Sequence, residues 1–340
     1  MSLSLNDVLI RHGWRATEGD FGDEVGELLA ARDATVCAPL TELGLILVAG
    51  EEAIPFLHNL LTNDVKTLPP DGVRFAGFCT AKGRLLATMH LWPSAGEVAA
   101  LLSSDLLPAV LKKLTQYVLR SKVELRDASE EVRLFGVHGP QAEAILAELG
   151  ASTPFQLQAI PFAGGRVVRL DARRFVLALD ADAAGDLWLR LAARARPVGP
   201  AAWRWLEIVS GQPRVSAATQ ELFVPQMVNM ELPAVGGVSF TKGCYPGQEI
   251  VARAQYLGKV KRRMHRGHAE VALRAGAALF TPEDGPQHCG NVVLAAAAPE
   301  GGYDCLFVVP SQNGRVGEVH LGAPDGPRLT LKDLPYTIDP

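Results

Sequence analysis

The sequence predicts an α+β fold in which a ferredoxin-like, split βαβ arrangement occurs twice and a C-terminal all-β barrel follows. Two stretches carry the same order of elements, a strand, a helix, further strands and a second helix, one from Leu43 and one from Val132. Beyond Lys259 the helical period disappears, and short apolar runs alternate with Gly and Pro. The 340 residues also exceed one core, since at ~150 residues per domain they make about two domains, or three small ones. The duplication rests on element order, because no obvious identity links the halves. The expected division is 1–130, 131–258 and 259–340.

The first thirty residues hold Gly13, Gly19, Gly22 and Gly26 and no sustained period, so they read as a loosely structured lead-in with short helical pieces. Strands are expected at 35–40 and 43–49, and Glu51-Glu52 open a helix carrying Phe56, Leu57, Leu60 and Leu61. Strands at 74–79 and 84–92 flank Thr80-Ala81-Lys82-Gly83, where the glycine suits a tight reversal. A strand at 97–102, a helix capped by Ser104 with Leu107, Val110, Leu111, Leu114 and Val118 on one face, and a strand at 122–126 close the first half. The second half has strands at 132–137, 155–160, 166–171 and 175–179, with helices from Gly139-Pro140 to Gly150 and from 182 to 195. A short helix at 203–210 then enters an aperiodic stretch containing Pro213, Pro225, Pro233, Gly236 and Gly237. Structureless connections beyond about 15 residues are usually functional or disordered; Leu222, Phe223 and Met227 give this one apolar anchors, so a packed functional loop is expected. Runs at 277–280, 291–298, 305–309 and 316–320 supply the barrel.

Composition narrows the function. With 48% apolar and 21% charged residues the chain can bury a core. Its 33 basic and 37 acidic residues leave a formal net charge of −4, which provides no global positive field for nucleic acid or an anionic membrane. The basic run Lys259, Lys261, Arg262, Arg263 and Arg266 reads as a solvated strand or linker. Apolar runs such as 43–50 and 292–298 fall well short of the about 20 residues that span a bilayer, and Asp7, Arg11 and His12 interrupt any signal-peptide core. Neither a membrane nor nucleic acid is an expected partner. Five widely spaced cysteines, Cys37, Cys79, Cys244, Cys289 and Cys305, fit neither a disulfide framework nor paired zinc ligands, so no metal site is expected and the compartment reads as reducing cytoplasm. Phosphate-binding G-x-x-x-x-G-K-[ST] and zinc-protease motifs are absent from the sequence.

The segment most informative about chemistry is Thr241-Lys242-Gly243-Cys244-Tyr245-Pro246-Gly247-Gln248-Glu249. Lys242 and the start of a helix near Gly247 would both favour a Cys244 thiolate, and the two glycines permit close approach or positive φ. The same residues also suit a small apolar cysteine packed in a turn, and residue types do not choose between the two.

Lys-Gly-Cys-Tyr-x-Gly-Gln-Glu, here Lys242 to Glu249, is similar to the signature of the YgfZ family, folate-binding proteins related to the glycine-cleavage T-protein. The resemblance extends to Leu61-Thr62-Asn63-Asp64-Val65, Ala81-Lys82-Gly83-Arg84, Tyr117 to Val123, and Pro225-Gln226 with Asn229. It implies a duplicated α+β folate-binding portion, a C-terminal β-barrel, a tetrahydrofolate or one-carbon-substituted reduced folate as cofactor, and a role with iron-sulfur enzymes or their assembly proteins as partners. Cys244 and Lys242 are then the candidate chemical residues.

A pterin edge offers adjacent N–H donors that a carboxylate can accept in a parallel fork. Glu207, in a setting similar to the Arg-x-Glu of the T-protein relatives, is the candidate for that grip, with an exposed helical acid as the alternative. Arg84, Arg120 and Lys122 are candidates for the folate's anionic tail, and Asn63 and Asn229 for hydrogen bonds to the pteridine; strand-end cations and turn or cap residues explain them equally well. T-protein transferases carry an acidic pair after the hairpin glycine, whereas this chain reads Arg84-Leu85-Leu86-Ala87-Thr88. Alanine and threonine handle no proton near neutral pH, so ordinary aminomethyl transfer is disfavoured and conventional turnover is not the leading expectation. The alternatives are a folate-dependent methyl or aminomethyl transferase or demethylase-like enzyme, and a non-catalytic interaction scaffold.

Overall fold

The computed structural model describes residues 5–256, 260–311 and 316–338. Lys259, the expected head of the basic run, and the expected boundary between 258 and 259 lie outside the described residues. Two compact units divide the chain: Met1–Ala53, Thr67–Arg74 and His90–Trp203 form the first, and Ile54–Lys66, Phe75–Met89 and Arg204–Pro340 the second.

Helices α1 (Leu5–Arg11) and α2 (Glu24–Asp33) precede β1 (Val36–Pro39). The lead-in is therefore more ordered than its glycines suggested. Val8 and Leu9 of α1 join the core built on Phe135, Phe175 and Trp188, but one seven-residue helix is too short to display a period in sequence. Asp23 caps α2 by accepting from Gly26 N at 3.0 Å, and buried Glu27 accepts from the amides of Phe21 and Gly199, both at 2.7 Å.

The remaining α+β portion is β2 (Leu43–Ala49), α3 (Ala53–Leu60), β3 (Arg74–Cys79), β4 (Leu85–Ser94), β5 (Glu97–Ser103), α4 (Leu107–Thr115) and β6 (Glu124–Asp127). Then come β7 (Val132–His138), α5 (Ala142–Glu148), β8 (Gln158–Phe162), β9 (Gly165–Arg169), β10 (Arg174–Asp180), α6 (Ala181–Ala192) and β11 (Arg196–Pro197). Strand, helix, three strands, helix, strand thus occurs twice. The two sheets have matching strand orders, β6-β2-β5-β4-β3 and β11-β1-β7-β10-β9-β8, the second with β1 inserted. The β1–β11 pair is parallel, while β7, β8, β9 and β10 pair antiparallel.

Several boundaries move for local reasons. Ser104 opens a 3-10 turn and its hydroxyl donates to Thr41 O at 3.2 Å instead of capping a helix, so α4 begins at Leu107 with Pro108 in its first turn and ends before Val118. Phe155, which set the expected start of β8, is 77% exposed, and the strand begins three residues later.

In the second unit α7 (Pro200–Val209, of which Arg204 onward belongs here) leads into residues 211–247, which are packed through buried Phe223, Met230 and Val235. Helix α8 (Gln248–Tyr256) follows. The C-terminal strands β12 (Arg262–Ala269), β13 (Ala278–Phe280), β14 (Gly290–Ala297), β15 (Tyr303–Pro310), β16 (Val319–Leu321) and β17 (Arg328–Lys332) close a barrel in the order β12-β15-β14-β13-β16-β17. Leu279, Val292, Phe307 and Leu329 fill its core. The basic run is not simply a solvated strand: within β12, Arg263 pairs with Glu231 and Arg266 reaches Asp304, both partners being buried carboxylates.

Candidate functional site around Cys244

The signature loop is fastened at both ends. At its start Lys242, 7% exposed, sends its ammonium to the carbonyls of His58 and Leu61, the latter at 2.8 Å, and lies 4.6 Å from the Tyr245 ring centroid. Those carbonyls sit at the C-terminal end of α3, where helical C=O groups lack partners and the dipole favours a cation. Burial pushes the Lys242 ammonium down to about 8, against the pull of Asp64 and Cys244.

At the other end, Gly247 has φ +84°, and a Cβ there would fall 2.5 Å from Thr80 O and 2.6 Å from Gly83. Only glycine lets the loop lie against the Thr80–Gly83 hairpin. That turn is closed by Gly83 N donating to Thr80 O at 2.9 Å. Two sequence segments far apart in the chain are thus held in contact by paired glycines.

Between these fastenings Cys244 is exposed, whereas Cys37, Cys79, Cys289 and Cys305 are buried and all five are free. Burial pushes the Cys79 thiol up to about 12 and the Cys37 and Cys305 thiols higher still, so these thiols stay protonated and inert. Tyr245, next to Cys244, turns inward and is buried.

The other expected residues are distributed. Asn63 spends its amide on the protein, donating to Phe75 O (2.8 Å) and Gly236 O (2.7 Å) and accepting from Asp64 N (2.8 Å). Its neighbour Thr62 donates to Gly237 O at 2.6 Å and accepts from Gly77 N at 2.7 Å. Asn229 adopts φ +60° and donates to Met264 O at 2.9 Å, while its buried Oδ1 has no partner among the described residues. Arg84 donates to Leu222 O at 2.7 Å. Glu207 stands on α7 with its Oε2 3.0 Å from both Nε and Nη2 of Arg214. Arg120 is exposed, and Lys122 pairs at the surface with Glu51 at 3.0 Å; both belong to the first unit. The structure thus groups Lys242, Cys244, Asn63 and the hairpin leading into Arg84.

Sequence reasoning passed over three parts. His58 and Asp64 flank the end of α3, with His58 Nδ1 3.2 Å from Asp64 Oδ1; a lone histidine in the apolar helix pattern was the available signal. Arg214 orients Glu207 from the aperiodic loop. Asp304, 1% exposed, accepts from Trp205 Nε1 (3.0 Å) and contacts His268 Nδ1 (2.9 Å) and Lys332 Nζ (3.2 Å). Burial pushes its carboxyl up, but hydrogen bonds from His268 and Trp205 and the charge of Lys332 outweigh burial and hold it below the usual range. Asp304 thereby ties α7, which carries Glu207, to the barrel. In the stretch after Gly83, Thr88 is buried and its hydroxyl accepts from Val215 N at 3.1 Å.

Among known proteins, a family model described as the GCVT N-terminal domain matches residues 18–180. The chain is 32% identical over 304 residues to tRNA-modifying protein YgfZ of Vibrio vulnificus (strain CMCP6), covering 88% of this chain and 92% of that protein. It is 34% identical over 310 residues, with the same coverage, to tRNA-modifying protein YgfZ of Yersinia pestis (strain Pestoides F). In fold it is similar to glycine cleavage system aminomethyltransferase T from Bartonella henselae, with a TM-score of 0.73 at 20% identity over 99% of this chain and 98% of that one.

Proposed function

Because the chain belongs to the YgfZ family and has the T-protein fold, we propose that it binds a reduced folate and supports the assembly or repair of iron-sulfur enzymes, with Cys244 as its working thiol. The observation that carries this reading is the segregation of sulfur: four thiols are buried, and the remaining one is exposed in a loop held by Lys242 and Gly247.

A folate fits the residues present. Arg214 fixes one oxygen of the Glu207 carboxylate, and carboxylate oxygens carry further acceptor sites suited to pterin N–H groups. When bound, a reduced folate supplies a carrier for a one-carbon unit. Glu207 orients the pterin in this reading, and Lys242 holds the loop that presents Cys244. The stretch from Arg84 to Thr88 contains no acid, which argues against ordinary aminomethyl transfer.

The relatives are named tRNA-modifying proteins. We infer that an effect on tRNA runs through client enzymes, since the net charge is −4 and the β12 arginines Arg263 and Arg266 face carboxylates. Free cysteines fit a cytoplasmic setting, and among the described residues no helix is long and apolar enough to cross a membrane.

Titration with tetrahydrofolate by calorimetry tests the ligand. Saturable binding is expected, weakened by about 10-fold or more in Glu207→Gln, the effect of losing a charged hydrogen-bond acceptor. Cys244→Ala is expected to bind folate normally yet fail to restore iron-sulfur enzyme activity in cells lacking the native protein. Absence of saturable binding removes the folate, and full rescue by Cys244→Ala removes the thiol.

A further inference from the structure

Glu207 and Arg214 form their ion pair across a reversal of the chain. Helix α7 ends at Val209, Ser210 Oγ donates back to Glu207 O at 2.7 Å, and Gly211, at φ +67°, turns the backbone so that Arg214 returns to the carboxylate. Glycine takes this left-handed position after a helix without strain. The middle of the reversal is gripped from a distant part of the chain. The Tyr336 hydroxyl donates to Gly211 O at 2.7 Å, and Asn229 Nδ2 approaches the same phenol oxygen at 3.5 Å. The fit is close, since a Cβ built on Gly211 would lie 2.8 Å from Tyr336 Cε1, 3.0 Å from Pro335 Cδ and 3.2 Å from Leu334 Cδ2. Burial pushes the phenol up to about 12, so it keeps its proton and remains a donor at physiological pH.

We propose that Tyr336 is a positioning residue for Glu207: by fixing the Gly211 carbonyl in the reversal between Glu207 and Arg214, it sets where the carboxylate stands. The inference rests on the reading of Glu207 as the acceptor for pterin N–H groups and says what holds that acceptor in place. Tyr336 follows β17, whose last residue Lys332 pairs with Arg266 of β12, and Arg266 also donates to Asp333 O at 3.4 Å. The segment thus leaves the barrel wall and reaches Gly211 within four residues. Arg266 and Lys332 both reach Asp304, which takes Trp205 Nε1 at 3.0 Å. Glu207 therefore lies between two ties to one place on the barrel, Trp205 on one side of it in the chain and Gly211 on the other. A forked pair of hydrogen bonds tolerates a displacement of only about 0.5 Å, so a loosened reversal weakens the grip on a pterin. In this role the phenol acts through Glu207.

Tyr336→Phe keeps the ring against Gly211 and removes the hydroxyl alone. Calorimetric titration with tetrahydrofolate should show binding weakened about 5-fold, the effect of one hydrogen bond, in a protein that urea unfolding shows to be folded. The same change made in Glu207→Gln should cost nothing further, because the phenol acts through that carboxylate; such non-additivity marks residues coupled in one network. A second measurement needs no ligand. In proton–nitrogen NMR spectra the Arg214 Nε–H, held on Glu207, should exchange with water about 5-fold faster in Tyr336→Phe, as local opening becomes easier by one hydrogen bond. Unchanged affinity in folded Tyr336→Phe, an equal loss in both backgrounds, or an unmoved Arg214 exchange rate overturns the proposal. Absence of saturable binding by the intact protein removes the folate reading instead and leaves the Arg214 exchange to decide the positioning role by itself.

Discussion

Lys242 illustrates how much of one residue's role depends on partners remote in sequence. Burial pushes its ammonium down to about 8 in the folded protein from an ordinary 10.5, so between those values the unfolded chain holds the extra proton. Stability then rises with pH across that window, and the cost of burying the charge is fully present below it. The expected slope approaches about 1.4 kcal/mol per pH unit, the single-proton limit, and should be missing from Lys242→Met in urea unfolding at pH 7 to 10.5. The motif singled out Lys242 and Cys244 from their spacing. It gave no hint that the ammonium serves carbonyls 184 and 181 residues earlier, because such contacts are created by tertiary packing. His58 and Asp64 went unrecognised for the same reason.

At the level of elements, the contact between the Thr80–Gly83 turn and the signature loop depends on Gly247 twice, through its φ and through the space a Cβ would need. Gly96, at φ +87°, has no atom within 4 Å of a built Cβ, so it isolates the backbone effect. Gly247→Ala should therefore cost about 1–3 kcal/mol more than Gly96→Ala in urea unfolding, the usual range for forcing extra atoms into a packed site. The turn itself was legible, since β3 occupies the expected 74–79 and a glycine closes the reversal. Strands with sustained apolar runs could be placed within a residue or two. Elements defined by few residues could not: α1 buries only Val8 and Leu9 fully, and β12 hid behind arginines whose carboxylate partners come from elsewhere in the chain.

For the molecule as a whole, the element order was readable but the strand order within the sheets was not. Periodicity separates strand from helix, yet says nothing about β1 entering between β7 and β11. The cysteines offer a whole-chain measurement: under native conditions an alkylating reagent should add to one thiol, Cys244, and in guanidinium without reductant to all five. Two or more rapid native adducts would contradict the burial described for Cys37, Cys79, Cys289 and Cys305. The barrel has a consequence of its own. Its first and last strands meet at Arg266–Lys332, Gly267–Leu331 and His268–Thr330, which makes β17 the seam of the ring. A chain cut short ahead of Arg328 would strip β12 and β16 of a neighbour and leave rows of bare amides, the open margin along which polypeptides stack into aggregates.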